Sequence, residues 1–166
     1  MFGLSALGAV HTAISLVAIA AGVWAFVRDK QILLANRLGQ LYLLTTVLTA
    51  VTALMIFRHG GFRIGHQFAV ATLVVLAIGT LAAATPLFGR ASRYVQAISY
   101  SSTMLIHMIT GAAETLTRLP SDAPLVTAAN AFIFKDIIGG LCLAFLIGLA
   151  FQLRWIQKRY STDIPR

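Results

Sequence analysis

Few residues in this chain can do chemistry, and nearly all of them sit in apolar surroundings. His11, His66 and His107 supply imidazoles. Glu114, Lys135 and Asp136 supply charge, and Asn130 and Arg118 supply polar contacts. Two neutral imidazoles from different helices can clamp a haem iron from both faces, so His11 and His107 form the expected pair for haem b. His66 would complete a three-histidine site for a divalent metal with an open coordination position. Without a metal, Glu114, Lys135 and Asp136 fit a proton or ion path. A charge inside a bilayer costs about 2.5–3.5 kcal/mol even on the mild insertion scale, and such a residue marks a function by default. A structural reading stands beside these: Lys135 pairs with Glu114, or Asp136 with His107, and the helices are locked together. Glu114 and Arg118 stand at i,i+4 spacing and form an ordinary ion pair on one helix.

These groups need helices to bring them together. Gln96, Tyr100, Thr103, His107, Thr110, Glu114 and Arg118 recur three and four residues apart, which puts them on one face of a helix. The stretch is otherwise apolar. Lipid cannot solvate a polar stripe, so the stripe must face protein, water or a bound group.

The composition sets the surroundings. The chain has 166 residues, 58% of them hydrophobic and 11% charged, with a mean hydropathy of +0.84. A soluble domain carries about 25% charged residues. The sequence therefore predicts an all-α, polytopic transmembrane bundle of five helices, a single integral-membrane domain over 1–166. The spans fall at about 4–27, 38–57, 66–87, 94–118 and 125–151. Thr45, Thr49 and Thr52 line one side of the second span. Gly140, Ala144 and Gly148 make a strip of small residues on the fifth, suited to close helix contact. The apolar run that opens the chain has no basic residue before it and continues to Val27, so it reads as a first span and not as a cleaved signal. The single Cys142 allows no intrachain disulfide.

The formal net charge is +8. Its basic residues cluster at span ends, which points to lipid headgroups and away from nucleic acid. With the N-terminus outside, Arg28, Lys30, Arg37, Arg90, Arg93, Arg154, Lys158, Arg159 and Arg166 fall inside. Arg58, Arg63 and Arg118 fall outside. This is the positive-inside pattern for N-out, C-in, and it predicts a multi-pass protein of a bacterial inner membrane. At 1.5 Å per residue, His107 lies about 16 Å below Arg118, and Lys135 and Asp136 about 15–17 Å below Leu125. His11, His107, Glu114, Lys135 and Asp136 are thus expected at similar depths in the outer half of the bundle.

The segment Asn36-Arg37-Leu38-Gly39-Gln40-Leu41-Tyr42-Leu43 resembles the His-Arg-x-x-Gly-x-x-Tyr segment that opens the second helix of domain-of-unknown-function family 2306, a group of bacterial membrane proteins. His11 fits that family's early histidine. Asn36 stands where the family has histidine. The resemblance covers the first two helices and implies a bacterial multi-helix membrane protein without assigning an activity. No cytochrome, transporter or protease signature is present.

Three function classes follow. One is a redox or electron-transfer protein with haem or another metal at an outward-biased histidine site, working with a quinone. Another is a proton, ion or small-molecule transport bundle. The third is a non-catalytic subunit or assembly factor that binds other membrane subunits. An intramembrane zinc hydrolase using the three histidines is a further reading.

Overall fold

The computed structural model describes residues 5–56, 61–120, 123–127 and 130–161. They form five α-helices: α1 (Ala6–Asp29), α2 (Arg37–Leu54), α3 (Ile64–Ala84), α4 (Ser92–Arg118) and α5 (Ala131–Ser161), with a short 3-10 segment at Pro86–Ala91 before α4. In hydrocarbon every backbone N–H and C=O must be satisfied within the segment, and a helix does this. Four of the five, α1, α2, α3 and α5, are long and apolar enough to cross a membrane. This is the make-up of a membrane protein. α4 has the length, at 27 residues, but carries the polar stripe.

Local chemistry sets the helix ends. Ser5 opens α1, its Oγ accepting the Gly8 N–H at 3.1 Å. Lys30 closes α1 in the left-handed region at φ 61°. Asn36 caps α2 through Oδ1, which accepts the Gly39 N–H at 2.8 Å. Gly39 is required there, because a Cβ would collide with the Leu33 carbonyl. Pro86, which lacks an N–H, follows the end of α3.

α1 packs on α2, α2 on α3, α3 on α4, and α4 closes back on α1. Two tyrosines fill this ring. Tyr42 from α2 occupies space left by Gly22 of α1, where an added Cβ would come within 2.9 Å of its ring. Tyr100 from α4 fills the space left by Gly79 of α3, where the same test gives 2.7 Å. Both tyrosines are fully buried. Thr103 Oγ1 donates to the Tyr100 carbonyl at 2.8 Å, so the 2.7 Å contact between Tyr42 Oη and Thr103 Oγ1 has tyrosine as donor. Tyr100 Oη meets Thr80 Oγ1 at 3.2 Å. The motif at Asn36, Gly39 and Tyr42 is thus a cap, a close backbone contact and a core anchor.

α5 lies outside the ring and packs mainly on α4. At one end of the bundle, Gln152 Nε2 donates to the Lys30 carbonyl at 2.9 Å, Gln96 Nε2 to the Ile32 carbonyl at 3.3 Å, and the Arg93 guanidinium lies 3.7 Å from the Tyr160 ring centre. These contacts gather the α1–α2 link, the start of α4 and the end of α5 at one basic end.

The fifth helix starts six residues later than the expected Leu125. Leu125 and Val126 instead fold back on the end of α4, the Leu125 N–H donating to the Leu119 carbonyl at 3.2 Å and the Val126 N–H to the Leu116 carbonyl at 2.9 Å. Pro124 therefore precedes α5 and is not in its first turn. The sequence predicts Ser121 or Asp122 as the cap of the fifth helix, with Pro124 in its first turn, and a tight turn at Arg58-His59-Gly60-Gly61-Phe62-Arg63. Ser121, Asp122 and Arg58 to Gly60 lie outside the described residues. Gly61 of that turn has φ 90°, a conformation glycine adopts at no steric cost.

Candidate functional site

A cavity of about 650 Å³ opens between α1, α2, α3 and α4 at the end opposite the basic one. His11, His66, His107, Glu114 and Arg118 all line it, together with Arg63. Ala50, Ala53, Phe68, Ala69 and Ile106 supply apolar wall. Beyond it, toward the basic end, Tyr42 and Thr103 are wholly buried and close the ring.

His11 sits about one and a half turns into α1. Its Nδ1 is 3.0 Å from Thr52 Oγ1. The Thr52 hydroxyl already donates to its own helix backbone, at 2.8 Å to Leu48 O or 3.0 Å to Thr49 O. A carbonyl can only accept, so the hydroxyl hydrogen is committed and His11 Nδ1 is the donor. The neutral ring then carries its lone pair on Nε2. One turn along, Ser15 Oγ donates to the His11 carbonyl at 2.7 Å.

His107 is buried, with Nε2 3.1 Å from Thr46 Oγ1 and its ring edge-on to Tyr42 at 6.1 Å between centres. His66 is buried in the first turn of α3. Its Nδ1 accepts the Arg63 backbone N–H at 3.2 Å, so its ring hydrogen is on Nε2. Sequence position alone, just after the outer turn, predicts a surface site for His66. Instead, its role in capping α3 turns it inward against Phe62, with ring centres 5.4 Å apart.

The remaining hydroxyls of the wall share one habit. Thr12 donates to Gly8 O at 2.9 Å, Thr72 to Phe68 O at 2.8 Å and Thr110 to Ile106 O at 2.9 Å. Each has committed its hydrogen to the backbone and presents oxygen lone pairs. With His11 Nε2, the wall is rich in acceptors. At the rim, Arg118 and Glu114 form the expected i,i+4 pair at 2.7 Å, both partly exposed. Arg63 makes the rim net positive.

Three sequence-predicted polar residues stand elsewhere. Lys135 and Asp136 are exposed on α5, and neither lines the cavity. Among the described residues neither pairs with Glu114, His107 or any other side chain. Their depth differs from the count because α5 begins at Ala131. Trp155 marks the basic end, and the 20 residues from it back to Lys135 span about 30 Å, a whole hydrocarbon core. Both charges therefore fall at the rim opposite. Asn130 lies just before α5 and holds a turn: its Oδ1 accepts the Thr127 N–H at 2.6 Å and its Nδ2 donates to Leu125 O at 2.9 Å.

Thr46 and Arg63 also line the cavity, though neither is among the candidate residues of the sequence. Thr46 was legible, being four residues from Tyr42 and three from Thr49 on one helix face. Arg63 was not, because its place follows from the α3 cap. Among the described residues, no three His, Cys, Asp or Glu side chains are grouped to hold a metal ion.

The fold and this cavity define a class: a multi-pass helical membrane protein with a polar cavity inside a ring of four helices. The chain matches no family profile, no curated protein and no solved structure.

Proposed function

We propose that the protein binds the hydroxyl-bearing head of a lipid-soluble quinol in this cavity, as a component of membrane electron and proton exchange. The carrying observation is the acceptor-rich wall: His11, Thr12, Thr72 and Thr110 line the cavity, and their hydrogen bonds leave His11 Nε2 and the three hydroxyl oxygens with lone pairs and no hydrogen to give. A quinol supplies two O–H donors, and a quinone supplies none. The positive rim disfavours a cationic ligand, and the apolar wall suits a ring with an alkyl tail. His11 Nε2, oriented by Thr52 at Nδ1, is the acceptor for a quinol O–H hydrogen bond.

The haem b and divalent-metal readings use the same histidines, and an imidazole oriented through Nδ1 as His11 is suits a ligand role. They ask for more rearrangement. His66 carries hydrogen on Nε2 while its Nδ1 caps α3, and His107 must release Thr46. Transport through the ring would have to displace Tyr42. The charge gathered at the end away from the cavity supports N-out, C-in in a bacterial inner membrane, so the cavity faces outward. The likeness to family 2306 supports the same setting.

The test is calorimetric titration of the protein in nanodiscs with a short-chain benzoquinol and its quinone. Saturable quinol binding about tenfold tighter than quinone is expected, with about a tenfold loss in His11→Phe, the size of one hydrogen bond. Absence of saturable quinol binding would sink the proposal. A Soret band in the purified protein would favour haem instead.

A further inference from the structure

A second opening shares no residue with the first. It is a groove of about 630 Å³ between the end of α1, the middle of α4 and one face of α5. Its walls, from Leu105 and Met108 on α4 to Leu141 and Phe145 on α5, are apolar. Apart from Ser101, its polar groups gather at the basic end, where Lys30, Gln152 and Trp155 line it.

Gln152 is fixed in place. It is buried, its Oε1 accepts from Ser101 Oγ at 2.8 Å, and its Nε2 donates to the Lys30 carbonyl. Lys30 is thereby held by its backbone at the mouth of the groove. Its ammonium is exposed and donates to a neutral group, the Val27 carbonyl, at 3.0 Å. The neighbouring carboxylate, Asp29, is committed to Arg28 at 2.7 Å and to Asn36 at 3.0 Å. Among the described residues no carboxylate pairs with Lys30. A second cation is close by, since the Arg159 guanidinium lies 5.1 Å from the Trp155 ring centre.

The length of the groove identifies the occupant. From Trp155 to Leu141 it runs 14 residues along α5, about 21 Å. One leaflet contributes about 15 Å of hydrocarbon below its headgroups. Tryptophan belongs at headgroup level. The groove therefore starts among the headgroups of one leaflet and ends past the middle of the bilayer, the reach of a single acyl chain. Water has no partners along such a wall.

We propose that this groove seats one acyl chain of an anionic phospholipid from the leaflet at the basic end, with the lipid phosphate on the Lys30 ammonium. Gly148 lies along the path of the chain. It is exposed, and a Cβ added there meets no atom within 4 Å. Gly148→Leu therefore builds into the groove and not into the protein interior.

The test uses protein purified in mild detergent, with native mass spectrometry to weigh retained lipid. Thermal unfolding follows, with added phosphatidylglycerol or phosphatidylcholine of identical chains. Wild type is expected to retain about fivefold more of the anionic lipid and to gain more thermal stability from it. Lys30→Ala should erase the difference between headgroups while leaving a common effect of the chain. Gly148→Leu should abolish retention of both lipids, with circular dichroism confirming unchanged helix content. Equal response of wild type to the two lipids would overturn the proposal. So would full retention in Gly148→Leu, or a wild-type dimer that this variant dissolves while lipid binding is unchanged, which would give the groove to a second copy of the chain.

Discussion

α4 and α5 are both long enough to cross a bilayer, yet they stand at opposite extremes. α4 carries hydroxyls, an amide, an imidazole and an ion pair, and it buries Ser99, Tyr100, Ser101, Thr103 and His107. α5 is apolar over most of its length, and no residue in its most apolar 18-residue stretch is buried. In water the order would be reversed, with the apolar helix inside. Here the solvent is as apolar as leucine, so apolar surface gains nothing by being covered, and polar surface gains a great deal. The difference between these helices shows where the protein's interior specificity lies. It lies in threonine, tyrosine, histidine and glycine, and the leucine and phenylalanine of α5 are its lipid face.

The comparison can be broken at several points. Tyr42→Ala should have the largest effect, about 4 kcal/mol, because it empties a wholly buried site and orphans Thr103. Unfolding in mixed micelles would measure it, and a loss below 1 kcal/mol would mean the ring is not the core. Leu146→Arg comes next. Leu146 is 60% exposed, and an exposed position in water tolerates such a change within about 0.5 kcal/mol. If α5 faces lipid, the cost is about 3 kcal/mol of insertion free energy, read as the fraction of chain integrated into membranes. Full integration of the variant would refute the lipid face. The smallest expected effects come from one substitution made twice. Gly79→Ala meets the Tyr100 ring and should cost about 2 kcal/mol by overpacking. Gly140→Ala meets nothing and should fall within about 0.5 kcal/mol of wild type. Equal losses at both sites would show that the α5 strip is packed against something in the membrane.

The sequence carried the architecture because a bilayer demands length and apolarity, and both are local. It carried the α4 stripe as far as Arg118 for the same reason, since helical spacing is local too. His107 and His11 fell on one cavity because each depth was counted from a helix end that was nearly right. The same count misplaces Lys135 and Asp136. Asn130 bonds back to Thr127 and Leu125 ahead of α5, and the α5 origin moves by six. Nothing local announced the pairing of Gly22 with Tyr42 or Gly79 with Tyr100. Each is a small residue and a large one on different helices, and only the packed ring brings them together. The inward turn of His66 was hidden for a similar reason, since it follows from a bond to the Arg63 N–H that exists only once α3 has begun.

The polar stripe on α4 also constrains how the chain is built. Helices leave the ribosome one at a time, and each must choose between lipid and water as it emerges. α1, α2 and α3 can make that choice alone. α4 cannot, because its tyrosine, threonine and histidine hydrogen-bonding groups find partners on helices already made: Thr46 and Tyr42 on α2, Thr80 on α3. The first three helices therefore act as a waiting template, and α4 enters the membrane by joining them and not by dissolving in lipid. α5, made after α4, then has only a finished wall to lean on.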